Sequence, residues 1–198
     1  MQTKTMTNQK KLDDLKLKAL ENHIPILSDD GLLFLIKTIL DQKAKTVLEV
    51  GTAVGYSAIA IALLTGCKVV SIERDEIRYQ EALLNIKSFD LSNQITVILE
   101  DALNLELETK FDCVFIDAAK AQYEKFFTKY QKNLSENGFI IADNLNFHHL
   151  DITKVSRSTR NLIKRLNAFK VFLKNNEAFD TTFTDIGDGM SVSVRKSL

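Results

Sequence analysis

The 198-residue sequence predicts an α/β fold built on a mostly parallel sheet, and three observations carry that expectation. Four short apolar runs each end in an acidic residue: 69–72 at Glu73, 95–99 at Glu100-Asp101, 113–116 at Asp117, and 139–142 at Asp143-Asn144. Continuous apolar runs of this length read as strands buried on both faces. Helical patterns alternate with them, which implies βα units and right-handed crossovers. The chain ends differently, in two short runs around Gly187-Asp188-Gly189 that read as an antiparallel hairpin.

Each element follows in order. A charged amphipathic helix spans residues 10–22. Pro25, the only proline, precedes Ile26-Leu27, and Ser28 is a candidate N-cap for a helix over 30–41 with a stripe at Leu32, Leu33, Leu35, Ile36 and Leu40. Strand one is 46–50, then a glycine turn and a helix through 57–64. Strand two is 68–73, with a helix near 77–88. Strand three is 94–99. Strand four is 111–117, with a helix near 123–134. Gly138 opens strand five, 139–143. A basic helix covers 154–173, and the hairpin strands are 182–186 and 190–195. No repeat, low-complexity run or linker interrupts this, so the expectation is one domain over 1–198, with the helices of 1–42 as a cap.

Composition narrows the function. Lys+Arg and Asp+Glu are each 26, so no global field attracts polyanions, and a nucleic-acid partner would need a local patch. No apolar stretch is long enough to cross a membrane. The opening residues are polar and basic with no apolar run behind them, so no signal peptide is expected. Cys67 and Cys113 lack metal-type spacing and read as buried thiols of a reducing, cytoplasmic setting.

In open parallel sheets, ligands bind at the carboxyl ends of the strands, where these acids would converge. After strand one comes Glu49-Val50-Gly51-Thr52-Ala53-Val54-Gly55-Tyr56-Ser57. Gly51 permits a tight turn, and Gly55 would let a ligand approach the next helix. Glu73 lies about 20 residues beyond the turn, where an acid can meet ribose hydroxyls. The G-x-G-x-x-G spacing of dinucleotide sites is missing, as are a P-loop and a Tyr-x-x-x-Lys pair. Glu49 would repel a pyrophosphate but attract an amino group, which points to S-adenosylmethionine. Asp101-Ala102 sits where an adenine amino group could bind. Asp117, Asp143 and Asn144 offer hard oxygen donors, which suit Mg²⁺ or Mn²⁺ better than zinc. Singly, each could instead cap a helix or make a turn.

Taken together, Glu49-x-Gly51-x-x-x-Gly55-Tyr56-Ser57, Glu73, Asp101, Asp117-x-x-Lys120 and Asp143-Asn144 resemble the metal-dependent class I O-methyltransferases, the group of catechol and caffeoyl-CoA O-methyltransferases. Within it, Pro25-Ile26-Leu27, Phe115–Lys120 and Ile186-Gly187-Asp188-Gly189 look most similar to bacterial tRNA 5-hydroxyuridine methyltransferases. The resemblance implies a Rossmann-like sheet of seven strands with an antiparallel final strand. It implies an S-adenosylmethionine site drawing on Ile26, Glu49, Gly51, Thr52, Ala53, Ser57, Glu73, Arg74, Asp101, Ala102 and Asp117. It implies a metal site of Asp117, Asp143 and Asn144, with Lys120 as general base, and often a homodimer, for which the N-terminal helices are the candidate interface.

The expected reaction is methyl transfer to a hydroxyl oxygen. The acceptor expected is 5-hydroxyuridine at the tRNA wobble position, whose adjacent oxygens mimic a catechol. A small catechol-like or acyl-CoA-linked phenol is the alternative, and a non-catalytic nucleotide- or RNA-binding module is a third reading. For tRNA, the basic helix, with Lys154, Arg157, Arg160, Lys164, Arg165, Lys170 and Lys174, would contact phosphates of the anticodon loop. The plainer reading of that run is a solvated face. Phe147, His148 and His149 are expected in a loop at the substrate mouth, a loop that departs from the bacterial pattern in lacking glycine near His149.

Overall fold

The computed structural model describes residues 2–146 and 155–196. Two helices, α1 (Gln2–Glu21) and α2 (Asp29–Asp41), precede the sheet. Then follow β1 (Thr46–Val50), α3 (Tyr56–Thr65), β2 (Lys68–Glu73), α4 (Glu76–Ser88), β3 (Ile95–Leu99), β4 (Phe111–Ile116), α5 (Tyr123–Tyr130), β5 (Leu134–Ala142), α6 (Arg157–Lys174), β6 (Phe179–Thr184) and β7 (Met190–Arg195). The seven strands lie in the order β3-β2-β1-β4-β5-β7-β6. β1 to β5 are parallel, and β7 runs antiparallel to both β5 and β6. The expected fold class therefore stands, with the final strand reversed.

Alternation along the strands builds two cores. Val47, Val69, Cys113, Phe115 and Ile141 face α1–α4 on one side of the sheet. Leu48, Val114, Ile116 and Ile140 face α5 and α6 on the other. α3 is buried over almost its whole surface beneath α1 and α2, which explains why its sequence shows no polar face. Tyr123, Phe127, Phe169 and Phe179 fill the second core edge to face, with Phe127 and Phe179 centroids 5.1 Å apart. Among the described residues, no helix is long and apolar enough to cross a membrane.

Helix starts follow capping chemistry. Ser28 accepts from the Gly31 amide at 3.2 Å, Asp75 from Arg78 at 3.0 Å and Ser156 from Thr159 at 3.1 Å. Several boundaries differ from the sequence expectation. α1 begins at Gln2 rather than at residue 10. The helix expected to run to Leu134 stops at Tyr130, because the Asn133 amide is drawn to the Leu107 and Thr109 carbonyls at 2.7 and 3.1 Å. β5 then starts at Leu134, paired with Phe111 across a register shift, and not at Phe139. β6 starts at Phe179 rather than Thr182. α6 starts at Arg157, and Lys154 lies outside the described residues.

Candidate active site

The strand order reverses between β1 and β4, which makes their carboxyl ends the topological switch point. Backbone pairing continues one residue past each strand. The Asp117 amide donates to Val50 O at 3.0 Å, that of Asp143 to Ile116 O at 3.2 Å, and that of Glu100 to Glu73 O at 2.9 Å. Asp117 and Asp143, expected within their strands, thus sit just beyond them, and with Glu73 at the end of β2 they form a row along one rim. A cavity of about 660 Å³ opens there, within the range of a small-molecule site.

Ten of the expected cofactor residues line it: Ile26, Gly51, Thr52, Ala53, Ser57, Glu73, Arg74, Asp101, Ala102 and Asp117, together with Lys120 and Asn144. Gly51 is forced by the fold, with φ 103° and a would-be Cβ 2.1 Å from the Asp117 carbonyl oxygen. Gly55 has a different role from the one expected: at φ 84° it opens α3 without a side-chain cap, and a Cβ there would meet Ala82 of α4 at 3.4 Å rather than a ligand. Glu73 is held by backbone amides, from Ala53 at 2.8 Å, Asp75 at 2.9 Å and Arg74 at 3.0 Å, and still faces the cavity. Asp101 is braced by the Leu103 amide at 2.8 Å.

Glu49 stands apart. Its side chain is fully buried behind the wall and is not part of the lining. It accepts hydrogen bonds from Ser57 at 2.5 Å and from Ser71, whose hydroxyl lies 2.5 Å from that of Thr52. Burial raises its pKa from 4.5 to about 7, against the lowering effect of the two serine hydroxyls. Glu49, expected at the cofactor's amino group, thus stands behind the cavity wall here, linked to it through Ser57 and, by way of Ser71, through Thr52.

Asp117, Asp143 and Asn144 converge as expected. The Asn144 amide nitrogen donates to Asp143 Oδ2 at 2.7 Å and to Asp117 Oδ1 at 3.3 Å. Lys120 Nζ donates to Asn144 Oδ1 at 2.8 Å. Asp143 is 2% exposed, and its Oδ1 has no hydrogen-bond partner among the described residues. Burial raises Asp143 to about 7, with Asp117 adding to the effect, and raises Asp117 to about 6, with Lys120 and Asn144 opposing. Two desolvated carboxylates lie side by side, one with an orphaned oxygen among the described residues, and the Lys120 ammonium offsets their burial only in part. Among the described residues no three His, Cys, Asp or Glu side chains cluster for a metal, so the third donor would be the Asn144 amide oxygen. With its amide turned over and Lys120 Nζ moved off it, the set is all oxygen and fits a hard divalent cation.

A model of the O-methyltransferase family matches residues 3–196. The chain belongs to that family. Its sequence is 31% identical over 170 residues to a catechol O-methyltransferase of Niastella koreensis, covering 78% of this chain and 75% of the relative. The fold superposes on a candidate caffeoyl-CoA O-methyltransferase of Staphylococcus aureus with a TM-score of 0.87, at 33% identity over 93% of this chain and 92% of that one. An O-methyltransferase of Bacillus cereus crystallised with S-adenosylhomocysteine superposes with a TM-score of 0.80 at 25% identity, covering 94% and 91%.

Within this O-methyltransferase, several features escaped sequence reasoning. Asp188 lines the cavity and raises both Asp117 and Asp143 by its charge, a role beyond the hairpin turn that its sequence marks. The basic helix divides. Arg157, Arg160, Lys164 and Arg165 are exposed, without an ion pair among the described residues. Lys170 instead is half-buried and donates to Asn146 at 2.5 Å, while Lys174 is exposed and lies 5.6 Å over the Phe183 ring. Phe147, His148 and His149 lie outside the described residues.

Proposed function

We propose that this O-methyltransferase moves a methyl group from S-adenosylmethionine to one oxygen of a vicinal oxygen pair on a catechol-like phenol, with a divalent cation, Mg²⁺ or Mn²⁺, held by Asp117, Asp143 and Asn144. The observation that supports it most is the pair of buried carboxylates at the switch point, with Asp143 Oδ1 unpartnered among the described residues. A bound cation would supply the positive charge that lowers the pKa of an acceptor hydroxyl beside it. S-adenosylmethionine would supply the electrophilic methyl.

The chain's own residues would do the rest. Glu73 would meet the ribose hydroxyls, Asp101 and Ala102 the adenine edge, and the turn of Gly51, Thr52 and Ala53 the remainder of the donor; all of them line the cavity. Lys120 Nζ, at the same rim, would take the acceptor proton. Holding oxygen and methyl at attack distance would account for much of the rate. The test is methyl transfer to catechol with and without a chelator. Chelator-sensitive turnover supports the reading, and turnover indifferent to chelator refutes the cation's part in it.

A second acceptor, 5-hydroxyuridine of tRNA, is favoured by one observation: Arg157, Arg160, Lys164 and Arg165 on α6 are exposed and, among the described residues, without an ion pair. A phosphate-contacting strip of this kind would position a strand without reading its sequence, and the target base would have to flip into the cavity. Incubation with tRNA lacking the methoxy mark, followed by nucleoside mass spectrometry, separates the two. New 5-methoxyuridine supports RNA, and methylated catechol with unchanged tRNA excludes it.

A further inference from the structure

The segment carrying Asp143 and Asn144 leaves β5 and runs alongside the turn between β6 and β7. The Leu145 amide donates to Gly189 O at 2.9 Å, and that of Asn146 to Asp188 O at 2.8 Å. The Asn146 side chain is gripped at both ends. Its Nδ2 donates to Asp185 Oδ1 at 2.7 Å, and its Oδ1 accepts from Lys170 Nζ at 2.5 Å. A Cβ on Gly189 would stand 2.4 Å from Asn146 Nδ2, so the amide has little freedom to shift toward the turn. Three elements distant in sequence, α6, the β5 exit and the hairpin turn, meet on one amide. Two residues earlier, Asn144 holds φ at 60°, in the left-handed region that asparagine tolerates better than most residues with a side chain.

We propose that Asn146, clasped between Lys170 and Asp185, is a positioning residue that fixes the seat of Asp143 and Asn144 for a divalent cation. This rests on the reading of those two residues as cation ligands. An amide suits the position because it presents a donor to the carboxylate and an acceptor to the ammonium. An aspartate would face Asp185 with like charge, and an apolar side chain would leave the Lys170 ammonium without its partner.

The test is Mn²⁺ binding by the purified protein, read as loss of the free-ion electron paramagnetic resonance signal, with S-adenosylmethionine binding measured by calorimetry alongside. Asn146→Ala is expected to weaken Mn²⁺ binding about tenfold, the usual scale for residues that orient metal ligands. Donor affinity should stay within about twofold, since Asn146 does not line the cavity. Asn146→Asp should weaken Mn²⁺ binding similarly. Adding Asp185→Asn restores a donor–acceptor pair with its direction reversed, and should recover most of the loss. This recovery reads the clasp even if the alanine variant fails to fold. Unchanged Mn²⁺ affinity in a folded Asn146→Ala, or no recovery in the double variant, overturns the clasp and leaves the cation site standing. A wild-type protein that binds the donor but no Mn²⁺ overturns both.

Discussion

Replacing Glu49 with Gln tests whether a buried carboxylate behind the donor site is held at a cost to stability. Glu49 is fully buried, and burial raises its pKa from 4.5 to about 7. A rise of that size corresponds to about 3 kcal/mol between its protonated and ionised forms. An acid whose folded-state pKa is raised binds its proton more tightly when folded. Its favourable contribution is complete below pH 4.5 and is lost as pH climbs through about 7. Glutamine carries no such dependence and can keep the local hydrogen bonds. Its oxygen can accept from Ser57, while its amide donates to Ser71, whose hydrogen turns toward Thr52 at 2.5 Å. Urea unfolding of both proteins at pH 4 and pH 8.5, without metal or donor, measures the effect. The stability difference, variant minus wild type, should move by about 3 kcal/mol in favour of glutamine between the two pH values. Parallel pH profiles would refute the reasoning, because Glu49 would then titrate alike folded and unfolded.

Four further outcomes follow from the same geometry. Gly51→Ala brings a Cβ within 2.1 Å of the Asp117 carbonyl at φ 103°, a backbone contact that no rotamer relieves; a loss of about 3 kcal/mol or more, seen as a melting temperature lowered by roughly 6–12 °C, is expected, and calorimetry checks it. Asp143→Ala should reduce chelator-sensitive turnover more than about a hundredfold while leaving donor affinity within a small factor, and in wild type Mg²⁺ binding should strengthen as pH rises through 6 to 7, where Asp117 and Asp143 lose their protons. If tRNA is the acceptor, Arg157→Ala with Arg160→Ala should weaken RNA binding and reduce the slope of log affinity against log salt by about 2, read by filter binding across a salt series.

How much of this was legible in the sequence depends on the range of the interactions. The rim acids were readable because each punctuates an apolar run, so strand ends and candidate ligands came from the same local signal. The depth of Glu49 was also readable, though composition alone obscured it. It lies two residues after Val47, and strand alternation puts both on the face that α3 covers. Its partner had to come from that helix, and Ser57 is the hydroxyl that α3 supplies there. Lys170 makes the same point on a helix. It is four residues after Leu166 and seven after Ile163, so helical spacing places it beside the buried stripe. Reading it with the exposed Arg157 and Arg160 weighed charge above periodicity. Asp188 and the grip of Asp185 and Lys170 on Asn146 are different in kind. They join the β5 exit to α6 and to the hairpin turn across some 25 to 45 positions, and no periodicity within any one segment carries that information. The fold follows from local patterning, while the contacts that brace its rim exist only once the sheet has brought those segments together.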